Sequence, residues 1–173
     1  MFNLQKELSF LELTGHLLGF SDQKIAVMRE LITEDQSEFS ARLWEKTIAK
    51  LAKTKFTDVA HKDFSDGTES KTASTRRDVK GKIQGQISNV SGKTGWIRVA
   101  CFNNYKNVID FFLLPPDHDC KSYFSPANGD RGSIKFTYNR KEDTYSNYLE
   151  KYRVKNAKAA CVQMRSLSRR KGA

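Results

Sequence analysis

Three residues near the middle of the chain have the types and spacing for phosphodiester chemistry. They lie in the stretch HKDFSDGTESKT, where Asp63 precedes the tripeptide Ser65-Asp66-Gly67 and Glu69 and Lys71 follow it. A three-residue loop that ends in glycine is typical of a β-hairpin whose last loop residue is left-handed. The stretch therefore predicts a tight hairpin with one carboxylate on each strand.

The register of this hairpin decides whether the groups can act together. With Gly67 ending the turn, Asp63 stands opposite Glu69, and Lys71 and His61 form the next pair along the same face, because side chains alternate along a strand. A shift of one residue would separate them. We therefore expect Asp63, Glu69 and Lys71 to share one face of the hairpin.

Two directly opposed carboxylates repel one another and destabilise a purely structural hairpin. A divalent cation between them removes the repulsion, and Mg²⁺ needs only one or two carboxylates besides water and a substrate phosphate. The bound metal polarises a phosphoryl oxygen and lowers the pKa of a bound water. Lys71 can orient that water or stabilise the developing charge. Asp66 is a turn residue by default, but it is an alternative to Asp63 as the first acid.

The charge of the chain indicates a polyanionic partner. Thirty Lys and Arg residues stand against twenty Asp and Glu, giving a net charge of +10. A nucleic acid, either DNA or RNA, fits this excess better than an anionic membrane, because no basic amphipathic helix with a strong apolar face is evident. Double-stranded DNA is the partner that we expect. The candidate DNA contacts follow the hairpin: Arg76, Arg77, Lys80, Lys82, Lys93 and Arg98.

The elements that must position these groups change character along the chain. Residues 1–55 carry leucines and other apolar residues at helical spacing, whereas 56–140 alternates as strands do and contains the hairpin. Residues 141–164 predict a C-terminal helix region, and 165–173 form a basic tail. We expect one domain over residues 1–164.

Cysteine usage and the N-terminus bear on the compartment. Cys101, Cys120 and Cys161 are far apart and form no CxxC pair, which indicates free thiols rather than disulfides or a zinc site. The N-terminus lacks the order of basic, apolar and small residues of a signal peptide. No apolar run reaches the roughly 18 residues of a membrane span. We expect a cytoplasmic protein.

The pattern Asp63…Glu69-Ser70-Lys71 resembles the PD-(D/E)xK signature of the restriction-endonuclease-like nucleases. Its short gap is similar to that of the mismatch-repair nicking endonuclease and its related type II restriction enzymes. The resemblance implies an α/β (α+β) fold with a mixed central β-sheet and N-terminal helices. It also implies Mg²⁺-dependent, site-specific DNA cleavage that leaves 5′-phosphates. In such enzymes an acid on the preceding helix often assists the metal site, and Glu45 matches it by position. A homodimer is implied where both strands are cut.

Two other functions remain open from the residues alone. In a non-catalytic nucleic-acid-binding module, the hairpin acids would be incidental and the basic strands would contact phosphates. A structural or interaction protein with a basic surface would explain the charge only loosely. The placement of Asp63, Glu69 and Lys71 relative to one another separates the enzyme from both.

Overall fold

The chain combines N-terminal helices with a mixed β-sheet in a computed structural model. The structure describes residues 2–59, 62–77, 80–90, 93–120 and 132–164. The predicted α+β class, with helices first and a mixed sheet after them, is confirmed. His61 and the predicted basic tail lie outside the described residues.

Three helices form the N-terminal part, namely α1 Leu4–Leu18, α2 Asp22–Glu34 and α3 Ser40–Leu51. The side-chain oxygens of Asn3 and Ser21 accept backbone hydrogen bonds and cap the first two helices. The amphipathic pattern of these segments places their apolar faces together against one face of the sheet.

A buried carboxylate replaces a local cap on α3. Glu7 is almost completely buried on α1, and its Oε2 accepts hydrogen bonds of 2.7 Å from the amides of both Phe39 and Ser40. A negative charge at a helix N-terminus satisfies unpaired amides and interacts favourably with the helix dipole. The contact fixes α3, which carries Trp44 into the core against Phe111, with ring centroids 5.4 Å apart.

Nine strands and two short helices follow in the part of the chain that the structure describes. A two-stranded sheet contains β1 and β2, and a seven-stranded sheet has the order β8-β7-β4-β3-β5-β6-β9. The bounds are β1 Phe56–Val59, β2 Lys62–Phe64, β3 Glu69–Arg77, β4 Ile83–Ser88, β5 Ile97–Asn103, β6 Val108–Leu114, β7 Ser133–Asn139, β8 Thr144–Tyr145, α4 Asn147–Glu150, β9 Arg153–Val154 and α5 Ala157–Ala160. The predicted C-terminal helix region thus consists of two single-turn helices and two short strands.

Strand β3 changes partner along its length. It pairs in parallel with β5 from Glu69 to Ser74, whereas β4 pairs antiparallel with its last three residues, Thr75 to Arg77. The first half of β3 therefore has no β4 partner beside it. This leaves an open edge next to the residues that carry the predicted chemistry.

The turn of the predicted hairpin is confirmed, but its ladder is wrong. Gly67 has a φ of 80°, and the amide of Phe64 donates to the carbonyl oxygen of Thr68 at 3.2 Å. Beyond this bond β2 pairs with β1, and β3 pairs with β5. Strand β5 is buried along its whole length and takes up the ladder of β3, so Asp63 and Glu69 are not opposed partners.

The opposite face of the sheet packs a second core. It contains apolar residues of β3 to β7 and a group of aromatic rings, among them Phe112 and Tyr145 at 5.0 Å. The three cysteines are free and buried, as predicted. No helix among the described residues is long and apolar enough to cross a membrane.

Gly95 allows the segment before β5 to pass close to the hairpin tip. A Cβ at Gly95 would overlap the carbonyl oxygen of Gly67, whereas a Cβ at Gly67 itself would meet nothing within 4 Å. We predict that Gly67→Ala lowers the free energy of unfolding by roughly 1 kcal/mol, since only the left-handed backbone is strained. Gly95→Ala should lower it by about 3 kcal/mol because backbone must move.

Urea denaturation of the two variants checks this prediction. Equal losses in both variants would show that the close approach of the two segments contributes nothing.

Candidate active site

Glu69 forms the centre of a buried charged cluster at the start of β3. Its side chain is 3% exposed, and Oε1 accepts hydrogen bonds from Nζ of Lys71 at 2.8 Å and from Nζ of Lys93. Its other oxygen, Oε2, is buried and has no hydrogen-bond partner among the described residues. Buried carboxylate oxygens are nearly always paired, so an unpaired one indicates a missing donor or ion.

The cluster contains one more positive than negative charge. The side chains of Lys71 and Lys93 are 17% and 13% exposed, and both point to the same oxygen of Glu69. Partly desolvated ammonium groups are stable only when they are paired. One carboxylate cannot fully neutralise two of them, so the cluster can accept an anion beside the lysines and a cation or donor at Oε2.

Asp63 lies at the edge of β3 and not against Glu69. Its Oδ2 accepts hydrogen bonds from the amide of Ser70 at 2.8 Å and from the Ser70 hydroxyl at 3.2 Å. Because side chains alternate, the Ser70 side chain and the Glu69 side chain point to opposite faces of β3. The predicted face-to-face pair of carboxylates is therefore wrong. The carboxylate of Asp63 is instead bound to Ser70 at the edge of β3.

Glu45 on α3 is electrostatically coupled to this region. Burial, followed by the negative charge of Asp63, raises the pKa of Glu45, while Arg42 and Lys71 oppose the shift. The structure thus places the acid that was matched by position near two of the predicted catalytic residues. Acids whose pKa is raised by burial and by a like charge are frequent in active sites.

The donor set of the site is compatible with Mg²⁺. Among the described residues, no three His, Cys, Asp or Glu side chains converge as a ready-made metal group. Mg²⁺ needs only one or two carboxylates, because water and substrate phosphate complete its shell. The unpaired Oε2 of Glu69 and the oxygens of Asp63 and Glu45 are hard ligands of this kind, so the chemistry of the donors suits the ion.

Asp66 has a structural role. Its Oδ1 accepts from the amide and hydroxyl of Thr68 at 3.2 and 2.7 Å, and its Oδ2 accepts from Arg98 at 2.9 Å. The guanidinium of Arg98 is fully buried and also donates to the carbonyl oxygen of Val162 at 3.0 Å. The prediction of a DNA contact for Arg98 is wrong, because this side chain cannot reach the surface. Asp66 is committed to it and is not the first acid.

Most of the other predicted DNA contacts are exposed, but Lys93 is not. Arg76 and Arg77 are exposed at the end of β3, and Lys80 and Lys82 are exposed in the segment that follows. Lys93 instead contacts Glu69, and the sequence did not indicate this contact. No local pattern indicates that contact, since it depends on the parallel pairing of β3 with the strand after Lys93.

Asp66→Asn should destabilise the protein in a pH-dependent way. Removing the partner of a buried guanidinium lowers the free energy of unfolding by about 3 kcal/mol at pH 7. Burial works against ionisation, but the hydrogen bonds of Thr68 and Arg98 hold the pKa of Asp66 below its ordinary 3.8. The stabilisation is therefore present above that value and is lost as the pH falls through the lower pKa of the folded state.

Urea denaturation of wild type and Asp66→Asn between pH 7 and pH values below 3.8 measures this effect. The difference in free energy of unfolding between the two proteins should become smaller as Asp66 becomes protonated. Asp35→Asn is the matched control, since Asp35 is exposed at the end of α2. A gap that stays constant with pH would contradict a charge-based role.

The coupling of Glu45 to Asp63 can be measured directly. In Asp63→Asn the like charge is removed, so the pKa of Glu45 should fall toward its ordinary value, as followed by carboxyl-carbon NMR titration. Because the folded-state pKa of Glu45 is raised, its ionisation at neutral pH destabilises the fold, and Glu45→Gln should raise the melting temperature. If the pKa of Glu45 stayed the same in Asp63→Asn, the two carboxylates would be too far apart to interact.

No protein-family model matches the chain, and no curated protein or solved structure matches it. The geometry of Glu69, Lys71 and Lys93, with Asp63 and Glu45 nearby, is therefore the basis for inferring a function.

Proposed function

We propose that this protein is a Mg²⁺-dependent DNA endonuclease that hydrolyses phosphodiester bonds at the Glu69 cluster. The observation that supports this most is the buried carboxylate of Glu69, which has one unpaired oxygen and two lysines on the other. Asp63 and Glu45 add negative charge beside it. Acids that repel one another beside two lysines are the parts that phosphodiester hydrolysis needs.

The carboxylates would hold the metal, which when bound supplies a Lewis acid and a water of lowered pKa. Glu69 would bind through its unpaired Oε2. Asp63 is held in place by two hydrogen bonds from Ser70 to one oxygen, Oδ2. Glu45 must be ionised to take part, and its raised pKa makes that contribution increase with pH.

The two lysines would act on the phosphate. Both donate to the same oxygen of Glu69, so one ammonium group can turn to a phosphate oxygen while the other still neutralises the carboxylate. Positive charge placed where negative charge develops on phosphorus lowers the barrier of the reaction. Lys71 is the residue that the signature assigns to this role, and Lys93 supports it from the segment before β5.

The fold is consistent with this proposal. Helices cover one face of a mixed sheet, and the acidic and lysine residues lie at the start of a strand inside that sheet. We propose on this basis that the organisation is restriction-endonuclease-like and that cleavage is site-specific, as in type II restriction enzymes.

A non-catalytic DNA-binding module is the second candidate. It is favoured by the pairing of Glu69 with two lysines and by the position of Asp63 against Ser70, which together keep the acids apart. In that case these ion pairs stabilise the fold, and only the basic surface is functional.

Cleavage assays separate the two candidates. We predict that plasmid and mixed-sequence phage DNA are cut into discrete products with Mg²⁺ and remain intact with EDTA. Glu69→Gln and Lys71→Met should each reduce the rate by roughly 100-fold or more, since each removes a group that acts on the transition state. Glu142→Gln and Lys158→Met are controls with the same change at exposed positions and should leave the rate unchanged.

A second readout guards against misfolded variants. Mg²⁺ should raise the melting temperature of the wild type, and this rise should disappear in Glu69→Gln while its circular dichroism spectrum stays native. The nuclease would be rejected in favour of the binding module if the wild type shifted DNA without cutting it. This result would have to hold with Mg²⁺ or Mn²⁺ and on several substrates.

A further inference from the structure

A polar groove lies on the part of the sheet that the helices leave uncovered. It has a volume of about 720 Å³ and is formed by β3, β4 and β7, with Lys6 of α1 at its side. Few apolar side chains are available in it for a drug-like ligand, since its β4 and β7 walls present Gln84, Gln86 and Thr137.

Strand alternation explains why this groove is polar. Arg76 pairs with Gln84, which pairs with Thr137, and Gln86 pairs with Lys135, so these side chains share one face of the sheet. Apolar residues that alternate with them on β4 and β7 point to the other face and belong to the second core, namely Ile83, Ile87, Ile134 and Phe136. In this part of the sheet, one face therefore packs into the second core and the other carries the polar side chains of the groove.

The charge of the groove suits phosphate groups. Three cations contribute to its walls, Lys6, Arg76 and Lys135, and no Asp or Glu is among the described residues that line it. Amide and hydroxyl side chains accompany them. Contacts to the DNA backbone come from such a mixture of Lys or Arg with Ser, Thr, Asn and Gln side chains.

The groove reaches Thr72 on β3, two residues from Ser70, which lies beside the candidate active site. Ser70, Thr72, Ser74 and Arg76 follow one another along the same face of β3, and Ser70 holds the carboxylate of Asp63. At about 3.3 Å per residue, this row extends about 20 Å. A row of this length can lie beside several successive phosphates of one DNA strand.

We infer that this groove binds the phosphate backbone of the DNA and leads it to the edge of β3 at Asp63. The inference rests on the proposed function only in taking DNA as the partner, since it requires binding and not cleavage. It assigns contacts to Lys6 and Lys135, which the sequence did not single out, and it distinguishes Arg76 from its neighbour Arg77. These two arginines lie on opposite faces of β3 because they are consecutive.

Arg76 and Arg77 are a matched pair for the test. We predict that Arg76→Gln weakens binding of a fluorescein-labelled 20-base-pair DNA duplex by about 5- to 10-fold at 0.1 M salt and reduces the slope of log affinity against log salt by about 0.9. Arg77→Gln, with the same loss of charge, should stay within about 2-fold of wild type. Arg76→Lys should retain most of the affinity, because a phosphate contact needs only positive charge.

Anisotropy titrations in EDTA, where the duplex is not cut, provide these affinities. Lys6→Gln and Lys135→Gln should behave like Arg76→Gln, whereas Lys24→Gln on exposed α2 serves as their control. Equal losses in Arg76→Gln and Arg77→Gln would overturn the groove in favour of diffuse attraction. The groove would also be overturned if the wild type did not bind the duplex. The same holds if inorganic phosphate bound the protein without displacing the DNA.

The groove and the nuclease can fail separately. Arg76-dependent binding without Mg²⁺-dependent cleavage would support the groove and reject the enzyme. Mg²⁺-dependent cleavage by a protein whose Arg76→Gln variant binds as wild type does would overturn the groove and leave the enzyme standing.

Discussion

The buried guanidinium of Arg98 joins the parts of the chain on which the candidate site depends. It lies on β5, fully buried, and reaches Asp66 and Thr68 at the hairpin tip as well as the carbonyl oxygen of Val162 near the C-terminal end of the described chain. A buried cation is strongly unfavourable unless its partners are in place. The turn therefore has one position relative to β5. Strand β3 starts two residues after Gly67 and begins from that fixed point.

The site shows a second electrostatic pattern, in which the fold tolerates unfavourable charge. Burial, followed by repulsion from Asp63, raises the pKa of Glu45, and Oε2 of Glu69 is buried without a partner in the described part of the chain. Nε of Arg98 and Nδ1 of His118 are also buried and lack a hydrogen-bond partner among the described residues. Other buried groups are paired, as in the network where Asp110 accepts from Tyr145 at 2.6 Å and from Arg153 at 2.8 Å. Ionisable groups whose surroundings disfavour their charged form are frequent at functional sites.

The geometry of β3 accounts for how such a site can serve a long substrate. One face of the strand carries Glu69 and Lys71, and the other carries the polar row that ends at Arg76. The two faces are accessible to one ligand only where β3 lacks a neighbour, and β4 does not pair with its first half. Asp63 lies at that open edge through its bonds to Ser70. In a strand with two full neighbours the same residues would be separated by the sheet.

The sequence by itself determined the N-terminal helices, the left-handed turn at Gly67, the free thiols and the basic charge, because each depends on neighbouring residues or on composition. It also indicated that Glu69, Lys71, Asp63 and Glu45 belong to one region, which the contacts and the coupling of Glu45 support. Only the tertiary structure decided that β3 pairs with β5 instead of β2, that Arg98 is buried and that Lys93 reaches Glu69. Alternation along a strand records which face is buried but not which distant strand will lie beside it, and these contacts all depend on that choice of neighbour.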